Sequence, residues 1–268
     1  MLYSHQVRIS IFGINKRKML TKAKIKFLQS LQHKKFRQLY HRFIIDGDKT
    51  VRELINSDFI IETIYAEPWW LNKFNSLINV STEVVEVGSE ALQNISTLQS
   101  ANGVVAVAEI PASGAVAAVE NKLCIALDNI NDPGNLGTVI RIAEWFGIDT
   151  ILCSETCVDA FNPKVVNAAK GSLFRTNIHY LNLQYYFSKN NSKVFGAVLD
   201  GENIFKAELS SSGIILIGSE AHGISNELYP FITHSISIPA YGKAESLNAG
   251  VATGIICAEF LKRYYNQV

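Results

Sequence analysis

The spacing of hydrophobic positions changes partway along the chain. Residues 20–40, LTKAKIKFLQSLQHKKFRQLY, place apolar side chains at three- and four-residue intervals among many lysines, which predicts a helix. RFIIDG then reads as a strand ending in a turn, and KTVRELINS as a helix. FIIETIYAE, STEVVEVG and NGVVAVAEI are short β-rich runs and predict strands. Residues 20–109 therefore read as a small mixed α/β unit. PASGAVAAVENK, marked by Pro111 and Gly114, reads as a linker, bounded at 110–122.

From residue 123 to 268 strands and helices alternate. LCIALD is a continuous apolar run, the mark of a strand buried on both faces. A helix through RIAEWFG stops at Gly147. TILCS predicts a strand and NPKVVNAAKGS a helix. KVFGAVLD, GIILIGSE and HSISIPA predict strands, and a long last helix runs from about Ser246 to Tyr265. This alternation predicts an open, mostly parallel sheet with helices on both faces. Ligands in such sheets bind beyond the carboxyl ends of the strands. The loops after residues 128, 199, 218 and 239 are therefore where chemistry is expected.

Composition narrows the class. Apolar residues make up 48% of the chain, enough for a substantial core. Cys124, Cys153, Cys157 and Cys257 lie mostly in apolar runs and lack the spacing of a redox or zinc pair, so they read as reduced and structural in a cytoplasmic protein. The six histidines are scattered, so no metal set is visible. No apolar stretch reaches membrane-spanning length, and the N-terminus lacks a cleavable signal layout. Met19 stands just ahead of the first helical pattern, so residues 1–19 read as a basic tail or as sequence before the true start. The net charge of +1 hides an asymmetry: residues 1–50 hold 12 Lys/Arg against 2 Asp/Glu, and the remainder 13 against 22. A basic arm on an acidic body points to a polyanion such as nucleic acid, or to a solvated basic helix.

Three loops carry unusual residues. In DNINDPGNLGTVIR, Asp132 can cap a helix, Pro133 presets φ, and Gly134 and Gly137 allow close backbone approach. Arg141 would offer a rigid fork of donors to a phosphate or ribose oxygen, if it is more than a surface arginine after an ordinary turn. LIGSEAHGIS ends a buried strand in Gly218, Ser219 and Glu220, with Gly223 following. It matches neither a P-loop nor a dinucleotide fingerprint. In SISIPAYGKAESLNAGVATGIICAEFL, Pro239 ends a strand, Ser246 is the expected helix cap, and Asn248 falls in the first turn. Asparagine is a poor helix former, so its amide is expected to have a partner.

Together the three loops resemble the SpoU class of the SPOUT methyltransferases. The motifs that carry the resemblance are Asn135-Leu-Gly-Thr-Val-Ile-Arg141 after Asp132-Pro133; Gly218-Ser-Glu220-Ala-His-Gly223; and Ile238-Pro239 followed by Ser246-Leu247-Asn248. FNPKVVNAAKGSLFR is similar to the segment between the first two. Residues 20–109 look like the L30e-like RNA-binding domain that often precedes the catalytic one, with Lys34, Lys35 and Arg37 as its basic cluster. Asp46 of Phe43-Ile-Ile-Asp46-Gly47 stands where the family pattern has glutamate.

The resemblance implies an α/β trefoil-knot domain with a mostly parallel sheet, a homodimer, and no metal. It implies transfer of a methyl group from S-adenosylmethionine to a ribose 2′-hydroxyl of RNA. Ribosomal RNA is favoured over transfer RNA, and a non-catalytic RNA-binding scaffold is the reading from another class. It places Gly218, Ile238 and Leu247 around the cofactor, with Leu199, Gly223, Pro239 and Asn248 beside them. Arg141 would engage the ribose and its phosphate, and Asn135, Glu220 and Ser246 would position Arg141 or the substrate.

Overall fold

A computed structural model describes residues 20–112, 114, 116 and 121–265. The tail read over residues 1–19, and part of the linker read over 110–122, lie outside them. The chain divides into two compact units, Met1–Glu109 and Ile110–Val268.

In the first unit the predicted opening helix is broken in two. α1 (Lys22–Ser30) begins at Thr21, whose hydroxyl accepts from the Lys24 N–H at 3.2 Å. α2 (Lys34–Tyr40) follows after a turn. Arg37 of α2 is 1% exposed and donates to the Leu31 carbonyl at 2.8 Å. It thereby satisfies an acceptor that the end of α1 leaves open. This corrects the grouping of Arg37 with the RNA-facing cations: Lys34 and Lys35 are exposed, whereas Arg37 is interior. Helical spacing of basic residues does not reveal which cation is turned inward.

β1 (Arg42–Asp46), α3 (Asp48–Ile55), β2 (Ile61–Ala66), α4 (Pro68–Phe74), β3 (Glu83–Glu86), α5 (Ser89–Ile95) and β4 (Val104–Glu109) complete the unit. The sheet order is β1-β4-β2-β3, with only β2 and β3 parallel. Leu28, Leu31, Ile44, Tyr65, Leu92, Ile95 and Val105 pack as one core. The helices α4 and α5 had no clear sequence signal because each is only seven residues long. Asp46 is buried at the end of β1. It accepts from the Ser96 hydroxyl at 2.7 Å, the Thr97 N–H at 2.8 Å and the Thr97 hydroxyl at 2.6 Å. The carboxyl therefore ties β1 to the turn after α5, and burial still raises its pKa despite those donors.

In the second unit the elements are β5 (Leu123–Leu127), α6 (Pro133–Trp145), β6 (Thr150–Ser154), α7 (Pro163–Ala169), β7 (Asn177–Leu181), α8 (Leu183–Lys189), β8 (Val194–Asn203), β9 (Gly213–Ile217), β10 (His234–Ser237) and α9 (Ala249–Tyr265). The sheet order is β10-β8-β9-β5-β6-β7, and every neighbouring pair is parallel. All five residues of β5 and of β9 are buried, as unbroken apolar runs require in a sheet covered on both sides. Cys124, Ala126, Leu152 and Leu216 face Leu183 and Phe187 of α8. On the other face Phe195 meets Phe260 of α9 edge-on at 4.9 Å. No helix among the described residues is long and apolar enough to cross a membrane.

Three boundaries differ from the sequence reading. β7 and α8 were missed, because β7 is a half-exposed edge strand without a run of apolar residues. β8 runs on to Asn203, so Leu199 lies within a strand rather than in a loop after one. Its first residues pair with β9 on one side, and on the other β10 pairs with Phe195 and Gly196 and then, across a register shift, with Glu202 and Asn203. Gly201 permits this, since a Cβ there would lie 2.5 Å from the Ile236 carbonyl carbon. The last helix starts at Ala249, not Ser246.

The helix α6 is held between α7 and α9. A Cβ on Gly137 would lie 2.4 Å from the Ala168 Cβ, and one on Gly250 would lie 2.8 Å from the Thr138 Cγ2. Gly137→Ala should therefore cost roughly 1–3 kcal/mol through overpacking, whereas Gly88→Ala meets nothing within 4 Å. Equal urea midpoints for the two variants would contradict this packing. Asp46 generates a second expectation. A carboxyl with a raised folded pKa adds stability below its ordinary value of 3.8, and that stability is lost as pH rises through the folded pKa. Wild type should therefore lose stability relative to Asp46→Asn as pH climbs between about 3 and 6. A constant difference in urea midpoints over that range would refute it.

Candidate functional site

The second unit gathers its polar residues at the carboxyl ends of β5 and β9 and at the start of α9. Asp128, 3% exposed, ends the apolar run of β5. It accepts from the Ser225 N–H at 2.8 Å and from the Ser225 hydroxyl. Asn129, with φ of 56°, donates its N–H to the Ser154 hydroxyl at 3.0 Å and its amide to Ser225 Oγ at 3.2 Å. These bonds clamp the loop after β5 to the loop after β9. Asp128 and Ser225 were not singled out in the sequence. The signal for Asp128 was present, since a carboxylate closing a fully buried strand must find donors.

The helix α6 is capped as expected, with Asp132 Oδ1 accepting from the Asn135 N–H at 2.8 Å and Pro133 in the first turn. The cap fixes Asn135, whose Nδ2 donates to Glu220 Oε1 at 2.8 Å. Glu220 sits in a tight turn in which Ser219 and Gly223 exchange backbone bonds of 3.0 and 2.8 Å. A Cβ on Gly218 would lie 2.1 Å from the Gly223 carbonyl carbon, so the turn closes only over a bare backbone. Gly223 itself has φ of 67°, which glycine adopts without strain.

Asn248 completes the cluster. Its Oδ1 accepts from the Gly250 and Val251 N–H groups at 3.0 and 3.3 Å, so it is the cap of α9. This replaces Ser246, which is exposed and makes no hydrogen bond among the described residues. The Asn248 Nδ2 donates to Glu220 Oε1 and to Asn135 Oδ1, both at 2.7 Å. The Ala249 N–H also donates to Glu220 Oε1, at 3.0 Å. Asn135, Glu220 and Asn248, 113 residues apart at the extremes, thus form one hydrogen-bonded knot of side chains.

Arg141 stands apart from that cluster. It is exposed on α6 and has no hydrogen bond or ion pair among the described residues. Glu144, one turn on, is already taken by Arg175 at 2.6 Å and the Ser172 hydroxyl at 2.8 Å. Arg175 holds the Glu144 carboxyl below the usual carboxylate range. Arg141 is therefore left as an open set of donors on the helix whose first turn carries Asn135. Leu199 is 78% and Leu247 45% exposed, while Gly218, Ile238 and Pro239 are half-buried. Among the described residues no group of three or more His, Cys, Asp or Glu could hold a metal ion.

Comparison with known proteins gives a consistent picture. Residues 122–258 match the model of the SpoU rRNA Methylase family, and residues 22–106 match that of the MRM3-like substrate binding domain. The chain is 29% identical over 242 residues to the Bacillus subtilis 23S rRNA (guanosine(2553)-2'-O)-methyltransferase RlmP, covering 87% of this chain and 94% of that one. It superposes with a TM-score of 0.82 on a TrmH-family chain from Porphyromonas gingivalis, at 34% identity over 92% of this chain and 100% of that one. It superposes with a TM-score of 0.83 on the AdoMet-bound rRNA methyltransferase from Sinorhizobium meliloti, at 26% identity over 93% and 98%.

The assignment of the α9 cap can be tested directly. Asn248→Ala should speed amide exchange at Gly250 and Val251 about fivefold or more, the equivalent of losing a cap worth about 1 kcal/mol. Ser246→Ala should leave those amides unchanged. The reverse pattern would return the cap to Ser246.

Proposed function

Because the chain belongs to the SpoU rRNA methylase family, we propose that it transfers the methyl group of S-adenosylmethionine to a ribose 2′-hydroxyl of ribosomal RNA. The observation that carries this reading is the interlock of Asn135, Glu220 and Asn248, with Arg141 unpaired farther along the helix that Asn135 begins. The residues fit the cofactor. Gly223 presents open backbone after β9, with Gly218 packed directly against it, and Leu199 and Leu247 present apolar side chains to solvent that a flat heterocycle would cover. Ile238 and Pro239 follow β10 on the same edge of the sheet. The cofactor's sulfonium makes its methyl group electrophilic without a metal.

The protein's share is orientation. Glu220 Oε1 is fixed by three donors, and through it Asn135 and Asn248 are held rigid. Arg141 carries a guanidinium, which is a hydrogen-bond donor and a poor proton acceptor. Its guanidinium instead binds the ribose oxygen or its phosphate and favours loss of the hydroxyl proton. Ser246, exposed ahead of α9, keeps its proposed part in positioning the substrate, and that exposure supports it. Lys34 and Lys35 supply an exposed basic face in the first unit, read as an L30e-like RNA-binding domain. Binding through it should weaken with salt.

The same reading includes a knotted second unit and a pair of subunits. The knot rests on the match of residues 122–258 to the SpoU family model. Pairing is supported by Trp145 on α6, 82% exposed, and Val251 on the adjoining α9, 52% exposed. Four buried free cysteines fit a reducing cytoplasm.

The test is to supply labelled cofactor with unmodified ribosomal and, separately, transfer RNA, then identify labelled nucleosides by mass. A 2′-O-methyl nucleoside is expected from the ribosomal pool alone; label only in transfer RNA would overturn the substrate. Arg141→Ala should lower the rate by about 10²–10³-fold, the scale of losing a transition-state donor, with S-adenosylhomocysteine binding unchanged. A near-normal rate would remove Arg141 from the mechanism.

A further inference from the structure

Residues 240–248 are all exposed and lead directly into the Asn248 cap. Within them Tyr241 is 96% exposed, the highest value of any aromatic side chain among the described residues. It has no hydrogen bond or ring contact among those residues. Lys243, two residues on, is exposed and has no ion pair among them. It is the only Lys or Arg between Lys206 and Lys262, a stretch that contains Glu208, Glu220, Glu227, Glu245 and Glu259. The loop that holds this pair ends at Asn248, which is bonded to Asn135 on the helix that carries Arg141.

A tyrosine left in water contributes nothing to the packing of the unit, and a lone lysine in an acidic stretch neutralises no neighbour. Both features fit one occupant. An unpaired nucleotide offers a flat face for the ring and a phosphate for the ammonium. A base inside a duplex would hide that face.

We propose that Tyr241 and Lys243 form the RNA-side contact of the second unit, with Tyr241 stacking on an unpaired base and Lys243 pairing with a backbone phosphate. The inference rests on the methyltransferase reading and narrows its substrate to a nucleotide in a single-stranded loop or bulge.

The test uses the full chain as wild type, Tyr241→Ala, Tyr241→Phe and Lys243→Ala, with an unmodified transcript of large-subunit ribosomal RNA as probe. Equilibrium RNA binding, methyl-transfer kcat/KM, S-adenosylhomocysteine binding and sedimentation are measured for each. Tyr241→Ala should lose about tenfold in RNA affinity and in kcat/KM, and Tyr241→Phe should keep both. Lys243→Ala should reduce the slope of log K against log salt by about 1. Cofactor binding and oligomeric state should not change. Full RNA affinity in Tyr241→Ala would overturn the contact, as would lost S-adenosylhomocysteine affinity or a lost dimer, which would place the ring against the cofactor or a second subunit. A wild type that binds the transcript through Tyr241 yet never methylates RNA would sink the functional reading and leave this contact standing. A wild type that methylates while Tyr241→Ala does so at full rate would do the opposite.

Discussion

A single carboxylate oxygen, Glu220 Oε1, accepts from Asn135, from Asn248 and from the N–H of Ala249. The donors come from two distant stretches of chain: the first turn of α6, and the cap and first residue of α9. An exposed carboxylate with one donor would wander among rotamers. With three it has one geometry, and so do the two asparagines. The charge also sits at the N-terminus of α9, where the helix dipole favours it. The arrangement converts three loops, flexible by composition, into one rigid surface at the start of the helix that carries Arg141.

That surface needs its supports. Asp128, buried at the tip of β5, pulls the loop after β9 into place through Ser225. The glycine pair in the Glu220 turn lets the backbone fold on itself within a distance that no side chain would allow. Farther back, Gly137 and Gly250 let α6 lie close to α7 and α9. The polar cluster is thus as precise as the apolar packing beneath it. A change of one methyl group in that packing would be felt at the site.

The cations follow a division of labour that charge alone does not disclose. Arg37 closes the end of α1, and Arg175 holds Glu144 beside the α6 helix. Removing Glu144 from reach leaves Arg141 open. Lys34, Lys35, Lys243 and Arg141 remain toward solvent. Exposed cations are therefore present on each unit.

The sequence by itself determined the α/β class, the change of pattern near residue 110, the buried strands β5 and β9, the Asp132 cap and the three motifs. Those features depend on periodicity, on Pro and Gly, or on residues close together in the chain, and each leaves a local signature. Only the tertiary structure decided that Arg37 is interior, that Asn248 rather than Ser246 caps α9, that β8 runs on to Asn203, and that Asp128 holds Ser225. Each of these depends on which partner lies across space, and a partner about 100 residues away, as Ser225 is from Asp128, leaves no mark on local spacing. The short helices α4 and α5 and the edge strand β7 went unread for a related reason. They are stabilised by packing against their units rather than by strong patterns of their own.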